Sequence, residues 1–218
     1  IFSSLNLFIA PSPKTGLKEE SVMSVHLLYG DEIYLLESKL KRIKKDFGEI
    51  VKGINFIQID DTNMQELISD IETPAFGYEK KLIIAKNTGM FKKEKKTAKG
   101  QELEVNKLIN KVADYINENI SIINESVELI FVEEVVEKNI LFQAIEKNGE
   151  VKEFTLLKLP ELIQNIQKIC AAYKVKIDNE TAKYFIECCG TNMQDLINEI
   201  RKLIEYAGEG GKIEKQDI

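Results

Sequence analysis

Histidine and cysteine, from which most metal and redox sites are built, are scarce in this chain. His26 is the only histidine among 218 residues, so a site with several histidine ligands is excluded. Cys170, Cys188 and Cys189 show no CxxC spacing, which excludes the common zinc motifs and a disulfide framework. No apolar run approaches the roughly 20 residues that span a bilayer. Free thiols and abundant Lys and Glu indicate a reducing compartment, so we expect a cytoplasmic location.

An overall excess of positive charge is also absent. The 30 Lys and Arg residues are outnumbered by 36 Asp and Glu residues, giving a net charge of −6, whereas a simple nucleic-acid-binding domain is basic. Residues 86–100 are the exception, with six lysines and one glutamate. These lysines could follow a phosphate backbone, although charged loops are more often only solvated and Phe91 is the only aromatic residue nearby. The candidate DNA contacts are Lys92, Lys93, Lys95 and Lys96.

The patterning that is present predicts an α/β domain over residues 23–155. The hydrophobic share of 44% is that of a folded chain, and short apolar runs alternate with segments of helical spacing, as in a parallel sheet with crossover helices. The predicted strands are 25–29, 55–59, 82–85, 127–132 and 151–154, and the helical patterns are 33–47, 64–71, 108–116 and 140–145. Thr62 and Gln65 have the spacing of a capping box at the second helix.

The two segments outside this domain, residues 156–218 and 1–22, differ in their sequence patterns. Residues 156–218 contain three amphipathic segments and predict a small three-helix domain, with a second capping box at Thr191 and Gln194. The adjacent Cys188 and Cys189 are expected to be buried thiols, because a vicinal disulfide is strained. Residues 1–22 contain several apolar residues followed by residues 11–16, whose prolines and glycine disfavour regular secondary structure. They lack a clear signal-peptide pattern, so we interpret them as a leader of unclear origin.

The first strand-to-helix turn is where an α/β domain of this kind would bind phosphate. A phosphate-binding loop needs several glycines and an adjacent lysine, but the turn after Gly30 has neither. Asp31 and Glu32 would repel phosphate oxygens, and Lys39 lies too far along the helix. The strand at 127–132 resembles one that carries magnesium-binding acids, yet Glu133 and Glu134 are interpreted as solvated residues at its end. We therefore expect no ATP binding, and no residue cluster supports catalysis.

The segment Thr73–Tyr78 joins a predicted helix to a predicted strand. Pro74 and Gly77 place two aromatic side chains, Phe76 and Tyr78, on a sharp elbow. Phe76 is either part of the core or an exposed anchor that fills a partner's pocket, as interface hot spots do. Periodicity alone leaves both alternatives open.

Five stretches taken together resemble one family, the delta subunit of the bacterial DNA polymerase III clamp loader, over residues 25–218. The resemblance implies an AAA+-like (P-loop NTPase-like) parallel-sheet domain without a P-loop, followed by a helical lid domain. It also implies that the family's third, collar domain is missing, so that the chain is a fragment of the first two domains. The stretches are LLYGDEIYLLESKLKRI (27–43), DIETPAFGYEKKLIIAKN (70–87), VELIFVEE (127–134), IEKNGEVKEF (145–154) and GTNMQDLINEIRKLIEY (190–206).

The resemblance further implies that the chain binds the β sliding clamp and opens its ring, as a non-catalytic accessory subunit of a DNA-directed DNA polymerase. The hydrophobic wedge of the family corresponds to Ala75 and Phe76, with Pro74 and Tyr78 shaping the loop; Ala75 is smaller than the leucine often found there. The implied partners are the clamp, the gamma/tau and delta prime subunits and, indirectly, DNA, and no cofactor is expected. The alternatives are a degenerate AAA+ ATPase and a DNA-binding module acting through the 92–99 lysines.

Overall fold

The computed structural model describes residues 23–92 and 101–218, with the side chains of 101–103 excluded. The described chain forms two compact units, residues 23–154 and residues 155–218. The leader interpreted at 1–22 and the candidate DNA contacts Lys93, Lys95 and Lys96 lie outside the described residues. Within the described part, no helix has both the length and the apolar character required to cross a bilayer.

The first unit is built on a five-stranded sheet in which every pairing is parallel. The strand order is β2-β3-β4-β1-β5, which confirms the predicted α/β class. The central strands β1, β3 and β4 are almost continuously apolar because both faces of the sheet are covered by helices. The strands are β1 Val25–Tyr29, β2 Phe56–Ile59, β3 Lys81–Lys86, β4 Val127–Glu133 and β5 Glu150–Glu153.

Helices close the two faces of this sheet. Helix α1 packs Leu36 and Leu40 on one face, against Leu28 of β1. The larger core on the other face contains apolar residues of α2, α3 and α4, among them Ile71, Ile116 and Ile145. The helices are α1 Ile33–Phe47, α2 Leu67–Glu72, α3 Gln101–Ser126 and α4 Ile140–Asn148, with a 3₁₀ turn at Met64–Glu66 before α2.

The capping box predicted at Thr62 and Gln65 is wrong. Thr62 instead donates its hydroxyl and its backbone N–H to the carboxylate of Asp60, at 2.6 and 2.9 Å. This local pairing forms a turn after β2, and a 3₁₀ turn precedes the α-helix, which begins only at Leu67.

The second unit contains the three predicted helices, α5 Leu159–Ala172, α6 Asn179–Cys189 and α7 Met193–Ala207. A two-stranded parallel sheet, β6 Lys176–Ile177 and β7 Lys212–Ile213, was not predicted because each strand is only two residues long. The box predicted at Thr191 and Gln194 is also wrong: Asn192 caps α7 by accepting the Asp195 N–H at 3.1 Å.

The expectation of two buried thiols on α6 is corrected as well. All three cysteines are free, but only Cys170 is buried, whereas Cys188 is exposed and Cys189 is half-buried. Adjacent residues on a helix are about 100° apart, so Cys188 and Cys189 cannot both face the core.

Candidate functional site

The elbow, defined as residues 73–78 between α2 and β3, is a short loop with fixed ends. Thr73 ends α2 by donating its N–H and its hydroxyl to the Ser69 carbonyl, at 3.0 and 2.7 Å. The Tyr78 N–H then donates to the Ala75 carbonyl at 3.1 Å and closes a turn. Gly77 occupies that turn with a φ of 81°, which favours glycine. Phe76 is thereby placed at the tip.

The side chain of Phe76 points into solvent. It is 91% exposed, so the alternative that it is part of the core is wrong. Pro74 is exposed, whereas Ala75 and Tyr78 are half-buried. The structure therefore gathers all four predicted residues in one loop, with the aromatic ring of Phe76 as its most accessible apolar group.

Two lysines that follow the elbow were missed by sequence reasoning. The ammonium of Lys81 donates hydrogen bonds to two backbone carbonyls, that of Asp70 at 2.7 Å and that of Thr73. Lys81 is only 3% exposed. Burial lowers the pKa of Lys81. Lys80 donates to the Asn124 carbonyl, near the end of α3, at 2.9 Å. The only signal in the sequence was a lysine immediately before the apolar run Leu82–Ala85.

The elbow lies at the edge of the sheet formed by the amino ends of the strands. Two residues separate the elbow from β3, which begins at Lys81, and Lys81 pairs in register with Val127 at the beginning of β4. Open α/β sheets bind nucleotides at the opposite edge, beyond the carboxyl ends of the strands. The candidate site and the degenerate phosphate turn are therefore at opposite edges of the same sheet.

The phosphate turn is closed by the protein's own backbone. The Phe154 carbonyl, just after β5, accepts the Glu32 N–H at 2.9 Å. A Cβ atom added to Gly30 would lie 2.3 Å from the same oxygen, so this side of the turn has no room for a phosphate. Burial raises the pKa of the Glu32 carboxyl, although hydrogen bonds from the backbone N–H groups of Tyr34 and Leu35 act to lower it. Lys39 contacts Glu150 at 3.4 Å, at the amino end of β5.

The interpretation of Glu133 as a solvated acid is wrong. Glu133 is 3% exposed, and one carboxylate oxygen accepts both the N–H and the hydroxyl of Thr88 at 2.8 Å. Burial raises the pKa of Glu133, although the hydrogen bonds from Thr88 act to lower it. Thr88 also accepts the Met90 N–H at 3.3 Å, so Glu133 secures the loop after β3. Glu134 is exposed, as expected.

Lys92 is the one candidate DNA contact within the described residues. It is exposed and lines a groove of about 770 Å³ in which five carboxyl groups, among them those of Asp60, Asp61 and Glu134, outnumber three lysines. These carboxyl groups oppose a phosphate backbone at Lys92. DNA contact by the lysine-rich stretch stays a prediction.

The only histidine lies in a mixed-charge cluster that ties three strands together. On β1, His26 Nε2 lies 2.8 Å from a carboxylate oxygen of Glu128 on β4, and Nδ1 lies 3.0 Å from one of Glu150 on β5. Burial by itself lowers the pKa of His26, but the two carboxylates outweigh it and raise the pKa to about 9. Neither this cluster nor any other group of His, Cys, Asp or Glu side chains within the described residues is arranged so that it could hold a metal ion.

The fold and the site define a parallel-sheet α/β protein with a closed phosphate turn and an exposed aromatic elbow at the opposite edge. A sequence model described as DNA polymerase III, delta subunit matches residues 26–159. The chain belongs to this family.

Individual relatives agree with this assignment. The DNA polymerase III subunit delta of Bacillus subtilis is 26% identical over 216 residues, covering 93% of this chain and 58% of the relative. The probable DNA polymerase III subunit delta of Aquifex aeolicus is 25% identical over 202 residues, covering 90% and 54%. The chain spans little more than half the length of these relatives.

A solved structure supports the fold. The structure of the Bacillus subtilis DNA clamp loader delta protein superposes with a TM-score of 0.68 at 23% identity, covering 90% of this chain and 57% of that one. This similarity supports a parallel-sheet α/β fold followed by a helical part.

Proposed function

We propose that this chain binds the β sliding clamp through the elbow and favours the open form of the clamp ring. Phe76 inserts into an apolar pocket of the clamp, while Pro74, Ala75 and Tyr78 shape the loop around it. A ring that opens transiently is held open by any partner that binds the open form more tightly than the closed form. The mechanism therefore needs binding energy and no chemical step.

The observation that carries this proposal is the 91% exposure of Phe76 at the tip of a hydrogen-bonded turn. A single exposed apolar residue is ordinary on a protein surface, but here it occupies the position at which the delta family resemblance places the clamp wedge. The ring also extends from a loop tied down at both ends. A large aromatic side chain on such a support is typical of an interface hot spot.

We infer that the chain acts without hydrolysing nucleotide. The carbonyl of Phe154 closes the phosphate turn, which argues against the alternative of a degenerate ATPase. Nucleotide hydrolysis is then a task of other loader subunits, gamma/tau, with delta prime as a further partner and DNA gripped by the assembled loader. A DNA polymerase III subunit implies a cytoplasmic location.

The test is the Phe76→Ala variant in a clamp-binding titration. Burying a phenylalanine side chain contributes about 2 kcal/mol or more, so we expect clamp affinity to fall at least about 30-fold. Stability in urea should be unchanged, because the ring makes no core contact. The matched control is Tyr206→Ala, which removes another exposed aromatic ring, on α7. Unchanged clamp affinity in Phe76→Ala, or an equal loss in both variants, would refute the proposal.

A further inference from the structure

We propose that Lys81 is a positioning residue that holds the elbow in its binding-ready conformation without touching the partner. This inference rests on the proposed function, because it concerns how Phe76 is presented to the clamp. Lys81 is 3% exposed, so its side chain is inaccessible to a protein that docks on the elbow. Any effect of Lys81 on clamp binding must therefore pass through its neighbours.

The ammonium of Lys81 supplies hydrogen bonds that α2 cannot make for itself. The last carbonyls of a helix have no partners within the helix, and α2 is only six residues long. Lys81 Nζ reaches the carbonyls of Asp70 and Thr73, the second of which belongs to the first residue of the elbow. A cation is favourable at a helix C-terminus, and a buried ammonium requires such acceptors.

Lys81 also connects the elbow to an interior strand of the sheet. It is the first residue of β3, which is flanked by β2 and β4 in the sheet. The adjacent Lys80 fastens the carboxyl end of the elbow to the Asn124 carbonyl. Both ends of the loop are therefore attached to the sheet or to α3, and only the tip that carries Phe76 is free.

A loop that is already ordered binds more tightly, because no conformational freedom is lost on docking. Replacing Lys81 with methionine keeps an unbranched side chain of similar length and removes the donors. The two carbonyls then lose their partner, and the elbow samples conformations in which Phe76 is misplaced. We expect Lys81→Met to weaken clamp binding about 5-fold to 10-fold, and to speed amide exchange at Thr73 and Tyr78 in the free protein.

A double-mutant cycle distinguishes positioning from a general structural effect. Clamp affinity is measured for Phe76→Ala, Lys81→Met and the double variant, all under conditions in which urea titration shows them folded. If Lys81 acts through Phe76, the double variant binds within about 2-fold of Phe76→Ala alone. The matched control is Lys86→Met, at the other end of β3, which removes an exposed ion pair with Glu37 at 2.9 Å. That variant should bind the clamp normally.

Each result decides a different question. The positioning role is overturned if Phe76→Ala loses binding while Lys81→Met binds the clamp normally. It is also overturned if the losses from the two substitutions are fully additive. Either result leaves the proposed function intact. Normal binding by Phe76→Ala overturns both. If Lys81→Met does not fold, the same cycle is run with Lys81→Gln, whose shorter side chain keeps an N–H donor. Additive loss in that cycle likewise overturns the proposal.

Discussion

Raising the pH should destabilise the sheet through a single side chain, His26. Its two ring nitrogens face carboxylates on both neighbouring strands, Glu128 at 2.8 Å and Glu150 at 3.0 Å. Both nitrogens can donate only when the imidazole is protonated. Deprotonation therefore breaks one of the two contacts and leaves two partly buried carboxylates without the cation between them, apart from Lys39 beside Glu150.

The direction and size of the effect follow from the pKa of His26. The folded value of about 9 lies above the ordinary value of 6.5, so the folded state favours the protonated form. The contribution to stability is complete below pH 6.5 and is lost as the pH rises through 9. Each pKa unit corresponds to about 1.4 kcal/mol, so the total loss is about 3 kcal/mol. The hydrogen bond from His26 lowers the pKa of Glu150 to about 2, so that carboxylate's contribution is lost only as the pH falls from about 4.5 to about 2.

The assay is urea unfolding at pH 6.5, 7.5, 8.5 and 9.5, for the native sequence and for His26→Gln. The native protein should lose about 3 kcal/mol over this range, and the variant should show no comparable slope. Because the chain has one histidine, a single imidazole resonance in an NMR titration reports its pKa directly. Equal slopes in the two proteins, or a measured pKa below 7, would refute the reasoning.

Two further predictions concern buried groups. Glu133→Gln keeps an acceptor for Thr88 and removes a buried charge, so stability at pH 8 should stay within about 1 kcal/mol of the native value. Glu133→Ala leaves the N–H and hydroxyl of Thr88 without an acceptor and should cost about 1–3 kcal/mol in urea unfolding; equal losses in both variants would show that the charge itself matters. A thiol reagent should label the exposed Cys188 in the native protein. Burial raises the pKa of Cys170 to about 12, so Cys170 should react only after unfolding, and comparable native labelling of both would contradict the packing.

The sheet was predictable because its strands are distinguished by composition. Strands β1, β3 and β4 are buried on both faces and therefore form apolar runs that end at turn residues. The two-residue strands β6 and β7 could not be predicted, since two residues are too few to show the alternation of apolar and polar side chains that identifies a strand. The helix starts predicted at Thr62 and Thr191 were misplaced because neighbouring polar side chains compete for the same backbone N–H groups. Asn192 caps α7 in place of Thr191, whereas the carboxylate of Asp60 pairs with Thr62 in a turn after β2 and caps no helix.

The site was predictable in position and only partly in character. Pro74 and Gly77 located the elbow, but the exposure of Phe76 depends on how the turn projects from the sheet. The roles of Lys81 and Glu133 were invisible for a common reason. Lys81 pairs with backbone carbonyls, which every residue carries, and Glu133 pairs with a threonine 45 residues away. Neither kind of pairing leaves a spacing pattern in the sequence.

The interior position of β1 has a consequence for synthesis on the ribosome. Val25 pairs with Leu129, roughly 100 residues later, whereas Phe56 of β2 pairs with Leu82 of β3, roughly 25 residues later. At translation rates of about 5–20 residues per second, β4 is synthesised on the order of 5–20 seconds after the apolar β1. During this interval β1 has no strand to pair with, while β2 and β3 can already pair. The nascent chain therefore passes through a period in which an unpaired hydrophobic strand is exposed, and this is the stage at which chaperone binding would protect it.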